Sequence, residues 1–145
     1  MFVICFFFFM ILRPPRSTQS RASAASDVYK RQEYLILTKI DPDNFENFYR
    51  LGMIFFDAGA LDKAAIYFKK SISNNNRHDM SYYYLGQVLY RNNSHNEAKQ
   101  MFIEAIKLDQ ANYKAHYFLG LVLRQLGDYE WAIKEFETAQ KNEDI

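Results

Sequence analysis

The chain has 145 residues, a length that predicts one domain, and 17% of the residues are aromatic. Its formal net charge of +1 is unevenly divided, because residues 1–32 carry five basic side chains and one acidic one, which leaves residues 33–145 at −3. An acidic domain argues against nucleic-acid binding, which needs clustered Lys and Arg. The single cysteine is Cys5, so residues 33–145 have no disulfide framework, thiol nucleophile or thiolate metal site.

Residues 1–32 differ in composition from the rest of the chain. The apolar run 2–12 is half as long as the roughly 20 residues that a membrane helix needs. A signal peptide has basic residues before its apolar core, whereas here the first one, Arg13, comes after it. The segment 13–32 resembles translated sequencing adapter. We therefore interpret residues 1–32 as a non-native leader, disordered or artefactual; a genuine anchor or signal is the alternative, and an ordered element comes last. We predict no membrane association for residues 33–145.

The next segment, residues 33–44, reads as the end of a helix followed by a stop. Apolar residues recur at helical spacing from Glu33 to Ile40, and Pro42 then prevents the helix from continuing. Asp43 or Asn44 can cap the helix that follows by accepting its free backbone N–H groups. We expect this segment to be the tail of a truncated unit whose first helix lies upstream.

Three pairs of helices follow from residue 45. The apolar spacing predicts them at 45–57 and 62–73, at 79–91 and 96–108, and at 113–125 and 129–141. Gly59 and Gly127 end the first helices of two pairs, because glycine accepts left-handed backbone angles without steric cost. Asn93 stands at the equivalent point of the middle pair, and asparagine is the other residue that tolerates those angles.

The three pairs are copies of one sequence pattern that returns at a constant interval along the chain. A fixed period of this kind indicates a stacked repeat protein. Glycine in the middle of a helix costs up to about 1 kcal/mol relative to alanine, so three at one spacing imply a steric reason. We expect the second helix of each pair to cross closely at its alanine. The repeated positions are Leu51, Gly52, Ala64 and Phe68, then Leu85, Gly86, Ala98 and Phe102, then Leu119, Gly120, Ala132 and Phe136.

This pattern resembles the tetratricopeptide repeat, with repeats at 45–78, 79–112 and 113–145. The resemblance implies an all-α fold, a right-handed superhelical solenoid of antiparallel helix pairs. It also implies a non-catalytic scaffold, without a cofactor, that binds a peptide segment of a partner protein in a concave groove. The alternative is a substrate-recruiting region of a larger enzyme whose catalytic domain is missing from the fragment. Self-assembly through an exposed terminal face is a third possibility.

The resemblance also assigns groove-facing positions on the first helix of each pair. Tyr49, Tyr83 and Tyr117 form a ladder with one tyrosine per repeat, and either peptide contact or packing accounts for it. Basic residues near the third repeat favour a ligand with an acidic end. Co-chaperone members of the family clamp a C-terminal carboxylate with Lys and Asn or Lys and Arg four apart; those pairs are absent here, which disfavours chaperone tails. The groove positions are Tyr49, Met53, Phe56, Tyr83, Gln87, Tyr90, Lys114, Tyr117, Leu121 and Arg124.

No other chemistry is marked in residues 33–145. The histidines stand at a break between repeats (His78), at a turn (His95) and at a packing position (His116), and none belongs to a pair with metal-ligand spacing. The glycines belong to the repeats, so there is no phosphate-binding loop. We predict no metal site and no catalytic residues.

Overall fold

The computed structural model describes residues 16–143, with side chains from residue 21 onward. In this range all regular structure is α-helical, and no helix is long and apolar enough to cross a membrane. The apolar run 2–12 of the leader lies outside the described residues, as do the last two residues of the third predicted repeat. The helices are α1 (Arg16–Ile40), α2 (Phe45–Asp57), α3 (Leu61–Asn74), α4 (Asp79–Arg91), α5 (His95–Leu108), α6 (Tyr113–Leu126) and α7 (Tyr129–Glu143).

Helix α1 begins earlier than the sequence analysis expected. The chain divides into two compact units, residues 1–33 and 34–145. In the first unit, where we expected disorder, residues 16–32 are helical, and residues 21–30 are all exposed. Alanines at 22, 24 and 25 favour a helix even where no tertiary contact supports it. That this segment is non-native stays a prediction.

The second unit contains three helix pairs in a row. Helix α2 packs against α3, α4 against α5, and α6 against α7, while α3 also contacts α4 and α5 contacts α6. Each helix therefore touches its neighbours along the chain, as in a solenoid. The end of α1 supplies Tyr34 and Leu35, which pack against the buried cluster that α2, α3 and α4 share. The all-α repeat solenoid that the sequence predicted is confirmed.

The helix boundaries follow from caps and turns that the sequence contains. Asn44 caps α2, its side chain accepting the backbone N–H of Glu46 at 3.1 Å. The three predicted left-handed residues all have positive φ, with Gly59 at 74°, Asn93 at 60° and Gly127 at 84°. These angles let a short turn reverse the chain, so that the second helix of each pair packs back on the first.

The glycine inside each first helix leaves room for the aromatic ring of the second helix. A Cβ atom added at Gly52 would lie 2.6 Å from the ring of Phe68, and one at Gly86 would lie 2.8 Å from Phe102. The expected steric reason for these glycines is therefore confirmed. The nearest atoms to each added Cβ belong to the phenylalanine ring, four residues after the alanine at which we expected the close crossing.

Successive pairs are joined by a second layer of aromatic contacts. The ring of Phe68 stacks on Tyr84 of the next pair, with centroids 5.7 Å apart and planes 14° from parallel. Phe102 stacks on Phe118 in the same way, at 5.7 Å and 19°. Both phenylalanines are completely buried as a result. Each repeat interface is thus a Gly–Phe–aromatic sandwich, and the hydrophobic core continues from one pair to the next.

Candidate functional site

An open cleft of about 690 Å³ lies among helices α4, α6 and α7. Five of its ten lining residues are aromatic, and Lys114 and Glu143 bring one charge of each sign. A concave, largely apolar surface with a few polar groups is the usual form of a binding site. The lining residues are Tyr83 and Gln87 from α4, Tyr113, Lys114, Tyr117 and Phe118 from α6, and Phe136, Ala139, Gln140 and Glu143 from α7.

The predicted groove residues divide into three groups by exposure. Four of the ten line the cleft, namely Tyr83, Gln87, Lys114 and Tyr117. The structure buries Phe56, Tyr83 and Gln87, partly buries Tyr49, Met53, Tyr90 and Leu121, and exposes Lys114, Tyr117 and Arg124. The surface open to a ligand is therefore concentrated on the third repeat.

The three tyrosines of the ladder have different environments. Tyr83 is 5% exposed and its ring meets Phe118 edge-on at 5.9 Å, whereas Tyr117 is 49% exposed. Tyr49 is partly buried, with its ring edge-on to His78 at 4.7 Å. Burial, reinforced by the neighbouring hydroxyl of Tyr84, raises the pKa of both Tyr49 and Tyr83 to about 12. In this geometry the rings of Tyr49 and Tyr83 are held by packing against their neighbours, and the ring of Tyr117 is half exposed at the cleft.

Sequence reasoning did not assign to the groove three aromatic residues that line the cleft, Tyr113, Phe118 and Phe136. Outside the cleft, it missed the contact of one basic residue with a predicted groove residue. Phe118 follows Tyr117 directly but turns to the repeat interface, and Phe136 was assigned to packing only. The guanidinium of Arg91 lies 4.3 Å from the centroid of the Phe56 ring. The available signal for Arg91 was its place one residue after Tyr90, at the end of a first helix.

A partly buried polar network joins α6 to α7 beside the cleft. His116 Nδ1 lies 2.6 Å from Glu135 Oε2, and Nε2 lies 3.1 Å from the carbonyl oxygen of Gln110. The indole N–H of Trp131 donates to the other carboxylate oxygen of Glu135 at 2.7 Å. His116 is thus a packing residue, as its place in the repeat predicted. These contacts hold the α6 and α7 walls of the cleft in a fixed relation.

A second polar network joins the first two repeats. Ser81 lies between His78 Nδ1 at 2.8 Å and the hydroxyl of Ser71 at 2.9 Å. Both serines are completely buried, and His78 is partly buried. Among residues 16–143 there is no group of three or more His, Cys, Asp or Glu side chains that could hold a metal ion.

Helix pairs that recur at a constant interval, each closed by a glycine–phenylalanine contact, define a tetratricopeptide-repeat protein. Residues 39–139 match the family described as anaphase-promoting complex, cyclosome, subunit 3, and the chain belongs to that family. Its fold is that of a protein-interaction scaffold. No curated protein matches the chain.

Solved structures of repeat proteins share this fold. A crystal structure of MamA is 24% identical, with a TM-score of 0.78 over 90% of this chain and 76% of that one. The second TPR of Spaghetti (RPAP3) bound to the HSP90 peptide SRMEEVD is 22% identical, with a TM-score of 0.66 over 67% of this chain and 90% of that one. MamA 41-end from Desulfovibrio magneticus RS-1 is 19% identical, with a TM-score of 0.74 over 85% and 70%. At these identities the likeness establishes the fold alone.

Proposed function

We propose that the chain is a non-catalytic scaffold that binds a peptide segment of a partner protein along its first helices, α2, α4 and α6. The observation that carries this proposal is the open aromatic cleft at the third repeat, with Tyr117 and Lys114 on its α6 wall. An exposed tyrosine provides a rigid apolar face at low entropic cost, which suits a surface that binds peptides. The family's name is that of a subunit of a complex, which supports an interaction role.

The charges along the first helices favour a ligand with an acidic end. On α2 Glu46 is paired with Arg50 at 2.7 Å and Asp57 at the end of the helix is exposed, whereas the exposed charges of α6 are Lys114 and Arg124. An acidic ligand end would therefore lie toward the third repeat. Glu143 on the α7 wall repels a carboxylate there, so the acidic end would approach Lys114 from the α6 side.

The acidic preference does not depend on a carboxylate clamp. Phe118 stands four residues after Lys114, and its ring is stacked on Phe102, so this position offers no donor to a terminal carboxylate. The HSP90 peptide bound by the RPAP3 domain has acidic residues at three of its seven positions. We propose for this chain the same ligand chemistry, an acidic segment, recognised through side-chain carboxylates.

The test uses the peptide SRMEEVD as a labelled probe, with its C-terminus amidated, and measures fluorescence anisotropy. We expect the paired change Lys114→Glu and Arg124→Glu to weaken binding about tenfold at low salt and less at high salt. The matched control reverses two exposed lysines on second helices, Lys69→Glu and Lys134→Glu, and should leave binding unchanged. Equal binding of a probe with lysine at its three acidic positions would contradict the proposal.

A further inference from the structure

The ring of His116 lies between two groups that can only accept hydrogen bonds. Its Nδ1 lies 2.6 Å from a carboxylate oxygen of Glu135 on α7, and its Nε2 lies 3.1 Å from the backbone carbonyl oxygen of Gln110. An ionised carboxylate and a backbone carbonyl have no proton to donate. Both contacts are therefore hydrogen bonds only when both ring nitrogens carry a proton, which makes the ring an imidazolium cation.

The carboxylate of Glu135 joins this ring to the indole of Trp131. One carboxylate oxygen meets His116, and the other accepts the indole N–H at 2.7 Å, a bond that favours the ionised carboxylate. The side chains of His116 and Glu135 are 10% and 15% exposed, so water and salt screen this pair only weakly. A change in the charge of the ring is therefore felt by the carboxylate and, through it, by the indole.

The first two repeats have no such pair at the same positions. The counterparts of His116 and Glu135 are Phe48 and Tyr67 in the first repeat, and Tyr82 and Met101 in the second. None of these four is a histidine or a carboxylate. Only the third repeat thus places at this contact a group whose charge changes between pH 5 and pH 8.

The carbonyl oxygen of Gln110 belongs to the break between the second and third repeats. It also accepts from the side-chain amide of Asn142 at 3.3 Å. In the first repeat the counterpart carbonyl, that of Pro42, accepts from Asn74 at 2.9 Å, and the phenylalanine in the place of His116 has no donor to add. The contact with His116 is therefore an addition to this break, and it depends on the second proton of the ring.

The charged groups around His116 come from α7, α5, the break and α6 itself. Among the described residues, Glu135 on α7 is the ionisable side chain within ion-pair distance of the ring. Lys99 on α5 has its Nζ 5.9 Å from the centroid of the indole ring of the same network. The carboxylate of Asp109 in the break accepts a backbone N–H two residues on, and Lys114 on α6 lines the cleft. The charge that balances the imidazolium is therefore that of Glu135.

We propose that His116 is a pH-dependent switch that joins α6 to α7 and to the break before α6, and that regulates the cleft. When the ring loses one proton to solvent, the other stays on Nδ1, because the charged carboxylate is the stronger acceptor. The lone pair of Nε2 then faces the carbonyl oxygen of Gln110, and that contact is lost. The charge of Glu135 is no longer balanced, and its neighbour Phe136 lines the cleft.

The effect of this switch on the cleft rests on the proposed function, the binding of an acidic segment. Glu143 already brings one negative charge to the α7 wall, and the neutral form of His116 adds the charge of Glu135. Like charges across an interface weaken association. We therefore expect tighter binding of an acidic peptide at pH 6 than at pH 8, since the carboxylates of the peptide are ionised at both values.

Trp131 is the single tryptophan of the chain, so its fluorescence reports on the network. In the complete 145-residue chain its emission should change in one step between pH 5 and pH 9, because the charge beside its hydrogen-bond partner changes. His116→Phe and His116→Tyr, which introduce the residues of the first and second repeats, should each remove the step. His95→Leu, which replaces another histidine by its counterpart in the first repeat, is the matched control and should keep it.

Two further measurements use the same pH range. Long-range proton–nitrogen NMR spectra of the histidine rings should show protons on both nitrogens of His116 at pH 6 and on Nδ1 alone at pH 8. Binding of the amidated SRMEEVD probe, followed by fluorescence anisotropy, should weaken about threefold from pH 6 to pH 8 at low salt. His116→Phe leaves Glu135 unbalanced at both values and should remove this dependence.

The outcomes separate the switch from the proposed function. A constant emission of Trp131 from pH 5 to pH 9, or a step that persists in both variants of His116, would overturn the switch. So would a ring with one proton at pH 6 or with two at pH 8. Equal affinity for SRMEEVD at the two pH values would contradict regulation of the cleft. The proposed function fails on different evidence, namely unchanged binding of SRMEEVD at pH 6 in the variant with Lys114→Glu and Arg124→Glu.

Discussion

At the scale of single residues, the contact between glycine and phenylalanine is the most constrained feature of the chain. A Cβ atom at Gly86 would lie 2.8 Å from the Phe102 ring, and that ring is held on its other side by Phe118. At Gly120 the same atom would lie 2.6 Å from the ring of Phe136, whose other side faces the cleft in the part of the chain that the structure describes. The two glycines therefore have similar clashes but different freedom to relieve them.

We expect Gly86→Ala to lower the free energy of unfolding by about 1–3 kcal/mol, because overpacking outweighs the gain in helix propensity. Gly120→Ala should lower the free energy of unfolding by less, and the higher helix propensity of alanine brings the net change near zero. Urea unfolding followed by circular dichroism measures both. Equal losses for the two variants would mean that the covering ring does not restrain Phe102.

At the scale of helices, the two repeat interfaces have different residues at the same point of contact. Ser71 and Ser81 meet through their hydroxyls, and Ser71 also donates to the carbonyl oxygen of Phe45 at 3.0 Å. One repeat later, Ala105 and Ala115 occupy these places and are equally buried. The chain itself therefore indicates that an apolar pair is compatible with this interface.

We predict that Ser81→Ala alone lowers the free energy of unfolding by about 1–2 kcal/mol, since it removes a hydrogen-bond partner from buried groups. The double change Ser71→Ala and Ser81→Ala should cost less than the sum of the two single changes, by about 1 kcal/mol. The measurement is a double-mutant cycle by urea unfolding, with Ser73→Ala, an exposed site on the same helix, as control. Strict additivity would contradict the prediction.

The helices were predictable because their signals are local. The cap at Asn44, the left-handed turn residues and the apolar spacing placed α2 and α4 at their observed bounds, since each signal involves residues within one turn. The start of α1 at Arg16 was not predictable in this way, because residues 16–32 have no apolar period. There the helix follows from composition, which predicts an element but not where it begins.

The candidate site was less predictable, because exposure depends on residues far along the chain. Tyr83 and Tyr117 occupy the same repeat position, yet Tyr83 lies against Phe118 of the next pair and Tyr117 has no such neighbour in the described residues. Sequence can assign a residue to a face of a helix. Whether that face is then covered depends on which helix packs next.

At the scale of the whole molecule, the repeats meet through tyrosines that are partly or fully buried, and these tyrosines make the stability of the stack depend on alkaline pH. The pKa of Tyr49 and that of Tyr83 are each raised to about 12, chiefly by burial. An unfolded tyrosine ionises near pH 10. The folded chain therefore holds these protons more tightly, and its stability is complete below pH 10 and falls as the pH rises toward 12.

We predict that the free energy of unfolding decreases from pH 8 to pH 11, with Tyr83 alone contributing about 1 kcal/mol of the loss. Tyr83→Phe should therefore reduce the difference in unfolding free energy between the two pH values. Tyr129→Phe, at an exposed position, should leave the difference unchanged. Urea unfolding at both pH values measures these quantities. A loss in Tyr83→Phe as large as in the parent chain would mean that Tyr83 does not link the stack to pH, and that its ring packs without desolvating its hydroxyl.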